Sequence, residues 1–438
     1  MGCWSACVEV ERWDEGTVES FGGPKGAARR LRARVPIGES VADVVRKIAL
    51  DVCSNGDLAV LEATRRLDTA GNEPRPLIVP GEELDEAITQ LPLDVVAGLQ
   101  VAIANVAEVA TAGTGEDVPV RLPQGHRVTL REIAVGSAAV YVPGGRAAYP
   151  STAVMGVVTA RAAGVLDVVV CSPPGPDGQI DSVILGTCRL LGVERVYRMG
   201  GAQAIAALAY GTETVERVDV IVGPGNLYVQ EAKRQLSGLV GIDGFAGPSD
   251  LLVVVGEDAD PQLVALDLLA QAEHGQGSIV VAVSPSKTAL DAVEGHLQSN
   301  AGHSEEFAAC TLVQSVDARA AVALANAFAP EHLELVGEEP EALAPMVRRA
   351  GCVLVGAYSA TAFGDYVAGS NHILPTGGAA RWASGLSVRH FRRRMSEVRI
   401  DAESAAKLAR AGAPIAREEG FEWHAKSMEA RVRENQQP

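Results

Sequence analysis

Three polar segments of the 438-residue chain combine residue types that can hold a cation or move a proton. In Gln271-Ala272-Glu273-His274 the first and last residues stand three apart, so on a helix they project from one face. Such a pair can donate to zinc; a histidine at a helix C-terminus can equally sit on the surface and offset the helix dipole. Residues 364–372 form a Gly-rich polar segment carrying Asp365 and His372. Loops after strands are frequent functional positions, although an Asx-turn cap and a surface histidine would read the same way. Glu331 and His332 directly precede the apolar run 333–336. Adjacent side chains point apart, so they can act as two separate acid–base groups. The imidazole titrates near neutrality and can take an alcohol proton. The carboxylate, if partly dry, can have a raised pKa and activate water. An ordinary acidic turn is the plain alternative. His424, in the charged stretch 418–424, reads in isolation as part of a solvated helix.

Three Gly-rich turns form a second group: Tyr141-Val142-Pro143-Gly144-Gly145, Gly200-Gly201-Ala202-Gln203 and Gly223-Pro224-Gly225-Asn226. Glycine lets backbone approach a phosphate closely, and a following helix offers free amides. None of the three is the GxGxxG dinucleotide fingerprint. Singly, each is strand-to-helix punctuation. Together, Tyr141, Gln203 and Asn226 make a cofactor cleft as good a reading as punctuation.

These residues need a scaffold. Residues 40–110 are helix-rich, with helical apolar spacing over 41–67 and breaks near Asp57 and Asp68. From about 133 the texture changes. Strands are expected at 165–171, 195–199 and 218–222, with helices at 180–191 and 202–210 between them. The pattern restarts with strands at 251–255, 278–283, 311–316, 333–336 and 352–355 and a helix at 261–274. This is repeated β-turn-α, which predicts an α/β fold of two incomplete Rossmann-like parallel-sheet domains. In open sheets of this kind, ligands bind beyond the carboxyl ends of the strands. Residues 1–35 are charged and Gly-rich and read as an arm, not as core. The stretch from about 387 reads as a charged helical tail, too small to fold alone.

Composition narrows the class. Apolar residues make up 47% and charged residues 21%, the profile of a soluble globular chain of two or three domains. A net charge of -17 argues against nucleic acid and anionic membranes as partners. The one basic run, 389–394, is short and reads as a solvated face or a contact with an acidic neighbour. Seven cysteines are scattered without zinc-site CxxC spacing, and Cys171 and Cys352 fall in apolar runs. A reducing, cytoplasmic compartment is expected, since residues following Met1-Gly2-Cys3 lack a signal-like apolar segment and no run of about 18 apolar residues occurs.

Taken in order, Gly-Pro-Ser at 247–249, Gln-Ala-Glu-His at 271–274, Pro-Glu-His-Leu-Glu at 330–334, Gly-Asp-Tyr at 364–366, Ser-Asn-His at 370–372 and Ser-Gly-Leu-Ser-Val at 384–388 resemble the signature segments of the histidinol dehydrogenase family. The likeness runs from about residue 40 to 425. No single segment is specific; their joint occurrence is.

The resemblance implies oxidation of L-histidinol through L-histidinaldehyde to L-histidine with two NAD, the last steps of histidine biosynthesis. It implies one Zn2+ per subunit, held by Gln271, His274, Asp365 and His424. Glu331 and His332 match the family's acid–base pair, and Tyr141, Gln203 and Asn226 its NAD contacts. Substrate contacts would come from Ser249, Gln271, His274, His332, Asp365, His372, Glu419 and His424. A homodimer with shared sites is implied, Glu419 and His424 acting in trans. The implied organisation is an N-terminal extension at 1–35, a first Rossmann-like domain at 36–140 and 250–386 carrying most zinc and catalytic residues, an NAD-binding domain at 141–249 and a dimerisation tail at 387–438. Three features depart from the family's pattern: Asp250 in place of the usual Glu, the basic run 389–394, and the bulky Phe421-Glu422-Trp423 beside Glu419. They leave a second reading, the same zinc–NAD chemistry on another small polyol such as a sulfopropanediol.

Overall fold

The computed structural model describes residues 8–34, 41–144, 147–244, 247–300 and 307–432. Cys3 and Gly145, named above, lie outside them. The chain divides into two compact units, residues 1–113 with 136–391, and residues 114–135 with 392–438.

Two parallel sheets build the first unit. One has six strands in the order Val10–Trp13, Cys310–Gln314, Ile279–Ser284, Asp250–Val255, His332–Val336, Cys352–Val355. Its central strand, Asp-Leu-Leu-Val-Val-Val, is buried at every position. That is what a parallel strand covered on both faces requires, and it is why the sequence reads there as a continuous apolar run. His332 lies opposite Leu251 on one side and Cys352 on the other. The other sheet has five strands in the order Val196–Arg198, Asp167–Ser172, Ser137–Tyr141, Val220–Val222, Gly241–Ile242, all parallel. The Ala-rich helix Gly201–Tyr210 packs beside Ala42–Leu67, its small side chains allowing close approach. The latter helix is interrupted at Gly56, whose φ of 53° only glycine adopts freely. The break anticipated near Asp57 therefore falls one residue earlier.

The N-terminal arm differs from expectation. Val10–Trp13 adds an edge strand beside Cys310–Gln314. Helix Gly23–Arg32 buries Ala27, Ala28 and Leu31 against helix Ala318–Phe328. Its few apolar residues fall on one face, and the charged residues around them mask that stripe in a composition-level reading.

Helix Leu93–Ala112 is long and apolar enough to cross a membrane by length and composition alone. Here it packs against helix Pro150–Ala162, and Asp94, Gln100, Asn105 and Glu108 interrupt its apolar run.

The second unit is a three-stranded antiparallel sheet, Arg392–Arg399 beside Arg127–Ala134 beside Val118–Arg121, with helices Ala402–Glu418 and Glu422–Glu429. The helices close on Ala413, Ala416 and Ala425. Much of the basic run is thus strand, with Arg394 donating to Glu132 at 2.7 and 2.5 Å. Cys171 is buried as expected, whereas Cys352 is only half-buried; the described cysteines are free thiols.

Candidate active site

The acid–base residues gather at the amino ends of the six-stranded sheet, not at the carboxyl ends where open α/β sheets usually bind ligands. Ser249 and Asp250 open one strand; Glu331 and His332 open its neighbour. Helix Pro261–Ala272 returns from the far end of the sheet, which brings Gln271 back to the same edge.

A chain of hydrogen bonds fixes the Glu331 carboxylate. Gln271 Nε2 donates to Ser249 Oγ at 2.7 Å, and Ser249 Oγ donates to Glu331 Oε2 at 2.5 Å. The Asp250 amide donates to the same oxygen at 2.9 Å, and the Glu331 amide donates back to Asp250 Oδ1 at 2.7 Å. Burial pushes the Glu331 carboxyl up to about 7, with the negative Asp250 adding to the rise and His332 opposing it. A carboxylate so poised can exchange a proton with water near neutrality.

His332 faces a different partner. Its Nε2 lies 3.1 Å from Asp365 Oδ1. Burial disfavours the His332 cation, but the hydrogen bond to Asp365 and the charges of Glu331, Asp365 and Asp250 outweigh it and raise the imidazole to about 9. For Asp365 burial works the other way, yet the His332 bond and the nearby His332, His372 and His274 hold its carboxyl below the usual range. Asp365 sits near the end of helix Thr361–Tyr366 rather than in a loop. Glu334 anchors the start of that helix, accepting from the Thr361 amide at 2.8 Å and its hydroxyl at 2.6 Å.

His372 Nδ1 lies 2.7 Å from the Asp365 carbonyl, and its Nε2 lies 3.2 Å from Thr152 Oγ1. Burial holds this imidazole below its ordinary pKa, hence neutral. His274 is exposed, with Nδ1 at 3.2 Å from the Ala270 carbonyl. That contact favours a proton on Nδ1 and leaves the Nε2 lone pair available to a metal, the arrangement metal-binding histidines commonly show. Gln271, His274 and Asp365 thus offer mixed nitrogen and oxygen donors that suit zinc. Among the described residues, no three or more His, Cys, Asp or Glu form a ready metal site within one chain. Glu419 and His424 belong to the second unit, where both are exposed; the His424 ring meets Phe421 edge-on at 5.2 Å.

At the carboxyl ends of the five-stranded sheet, Tyr141, Gly144, Gly201, Gln203 and Asn226 line a cleft of about 1040 Å³. Tyr141 OH accepts from the Gly201 amide at 3.2 Å, and burial keeps the phenol protonated, so it remains a donor. Gln203 Nε2 donates to Asp68 at 3.1 Å, while its buried Oε1 has no partner among the described residues. Asn226 Oδ1 caps helix Leu227–Leu236 at the Tyr228 and Val229 amides, so punctuation and cleft lining coincide in one residue. The volume, the glycine backbone and the unpartnered acceptor fit a dinucleotide.

Thr152, Asp68, Glu334 and Arg32 escaped the sequence reading as site residues. Thr152 is 220 positions from His372, and no local pattern ties them. Asp68 was visible only as a helix break.

A sequence model of the histidinol dehydrogenase family matches residues 32–432. A histidinol dehydrogenase of Gluconobacter oxydans is 40% identical over 418 residues, covering 93% of this chain and 96% of that one. One from Synechococcus is 43% identical over 399 residues, covering 88% and 91%. The crystal structure of histidinol dehydrogenase from Elizabethkingia anophelis superposes with a TM-score of 0.88 at 28% identity, covering 97% and 98% of the two chains. On the breadth of these matches, the chain belongs to the histidinol dehydrogenase family.

Proposed function

We propose that this protein oxidises L-histidinol through L-histidinaldehyde to L-histidine in two NAD-linked steps, the last of histidine biosynthesis. The observation that carries this reading is the pair Glu331 and His332, adjacent in sequence yet held by separate partners, in a chain of this family. The relatives named above are histidinol dehydrogenases, and nothing supports a sulfonated diol as substrate.

NAD supplies the hydride acceptor in each step, and Tyr141, Gln203 and Asn226 would hold it. A zinc ion, one per subunit, would be held by Gln271, His274, Asp365 and the partner subunit's His424, and would supply Lewis acidity and a fixed point for the amino alcohol. His332 takes the alcohol proton at Nε2. Nε2 is the nitrogen that faces Asp365 Oδ1 at 3.1 Å, and it must be free of its proton when the alcohol binds. Glu331 then removes a proton from the water that attacks the aldehyde carbon, with Ser249 and the Asp250 amide fixing its carboxylate. Ser249, His372 and the partner subunit's Glu419 would recognise the substrate. A cytoplasmic homodimer with shared sites completes the reading. Its test is NADH formation from L-histidinol before chelation, after chelation and after zinc is restored. The reading expects loss and recovery; full turnover of verified metal-free protein would remove zinc from it.

A further inference from the structure

The N-terminal helix reaches the catalytic strand through one side chain. Arg32 Nη1 donates to Asp250 Oδ2 at 2.5 Å, and Nη2 to Asp250 Oδ1 at 3.2 Å. The same guanidinium donates to the Phe328 carbonyl at 3.1 and 2.9 Å and to the Ala329 carbonyl at 3.0 Å. It also lies 3.5 Å above the Phe328 ring. Ala329 ends helix Ala318–Phe328 with a φ of 52°, a left-handed turn that L residues rarely adopt. Two residues later comes Glu331.

Asp250 is fully buried, so its charge needs a partner, and Arg32 supplies a forked one. Asp250 in turn touches Glu331 twice, through its side chain to the Glu331 amide and through its own amide to the Glu331 carboxylate. We propose that Arg32 is a positioning residue for catalysis: by gripping Asp250 and the turn at Ala329 together, it sets the Glu331 carboxylate against the attacking water. Asp250 is then a structural link between Arg32 and Glu331.

The assignment rests on Glu331 being the water activator, so both residues are tested together. Single-turnover NADH formation from L-histidinol resolves the first hydride transfer from the second. Arg32→Ala is expected to slow the second transfer about tenfold to a hundredfold, leaving the first within about threefold and the histidinol KM little changed. Arg32→Lys keeps a cation on Asp250 without the fork and should show the same selectivity at smaller amplitude; it also serves if the alanine variant does not fold. Glu331→Gln in parallel should slow the second transfer selectively. If Glu331→Gln slows both transfers alike, the water-activator reading falls and takes the Arg32 assignment with it. If Glu331→Gln is selective but the Arg32 variants slow both transfers alike or neither, the Arg32 assignment alone is overturned.

Discussion

The Ser249 hydroxyl donates to Glu331 Oε2 at 2.5 Å, and the same oxygen accepts from the Asp250 amide, so one oxygen of this buried carboxylate is fully committed to the protein. The proton transfer from water is assigned to Oε1. Glu331→Gln keeps an acceptor for both donors but cannot take a proton from water. The aldehyde-oxidising step is therefore expected to fall by about a hundredfold or more, the size of a lost general base, and the alcohol step far less. Rates measured separately with histidinaldehyde and histidinol check this.

The same substitution should stabilise the fold. Glu331 ionises with a usual value of 4.5 when unfolded and about 7 when folded. Its raised folded value favours the neutral form, so folding carries no penalty below 4.5. The penalty grows as pH rises through that interval and is complete above about 7. Removing the charge should gain about 1–3 kcal/mol at pH 8 and almost nothing at pH 4. Urea unfolding at the two pH values measures the difference.

Activity follows the opposite sense. The aldehyde step needs ionised Glu331, so its kcat should climb as pH rises through about 7 and level off above. A flat profile across pH 6 to 8, measured with histidinaldehyde, would contradict the assignment.

Much of this was legible in the sequence, for physical reasons that also mark where legibility stopped. The buried parallel strands announce themselves because both faces are covered, and Asp250–Val255 and Ile279–Ser284 appear within a residue of the expected bounds. Glu331, His332 and Gln271 were visible as chemistry next to strand and helix ends. Their place at the amino ends of the strands was not, since it depends on helix Pro261–Ala272 folding back. Strand Arg392–Arg399 was invisible because its charged residues carry no alternating apolar face; its pairing comes from Arg127–Ala134, far away in sequence. The Arg32 link spans 218 residues and follows from tertiary packing alone.

His274 presents Nε2 because Nδ1 is engaged with the Ala270 carbonyl. His274→Ala should therefore lose zinc, to well under one ion per subunit after dialysis, while the fold persists because the side chain is exposed. Metal analysis beside far-UV circular dichroism separates the two effects; tight stoichiometric zinc in the variant would sink the ligand assignment.

Gly223 turns at the cleft with a φ of 117°, and a Cβ there would fall 2.1 Å from the Tyr141 carbonyl oxygen. Gly223→Ala must displace Tyr141 or the turn. The NAD KM is expected to rise by about tenfold or more, alongside a loss of about 2–4 kcal/mol in stability. A variant with wild-type NAD saturation would show that this turn does not shape the cofactor cleft.

His424 and Glu419 are exposed on the second unit, which fits donors offered to another subunit. Mixing His424→Ala with His274→Ala subunits should restore part of the activity that each lacks alone. Verified subunit exchange without recovery would argue against a shared site.

NADH yield most directly tests the four-electron oxidation of one substrate. With zinc-loaded protein and limiting L-histidinol, absorbance should report two NADH per histidinol, with L-histidine as the product by mass spectrometry. A yield of one NADH with aldehyde accumulating, or no turnover by folded zinc-loaded protein, would contradict the account.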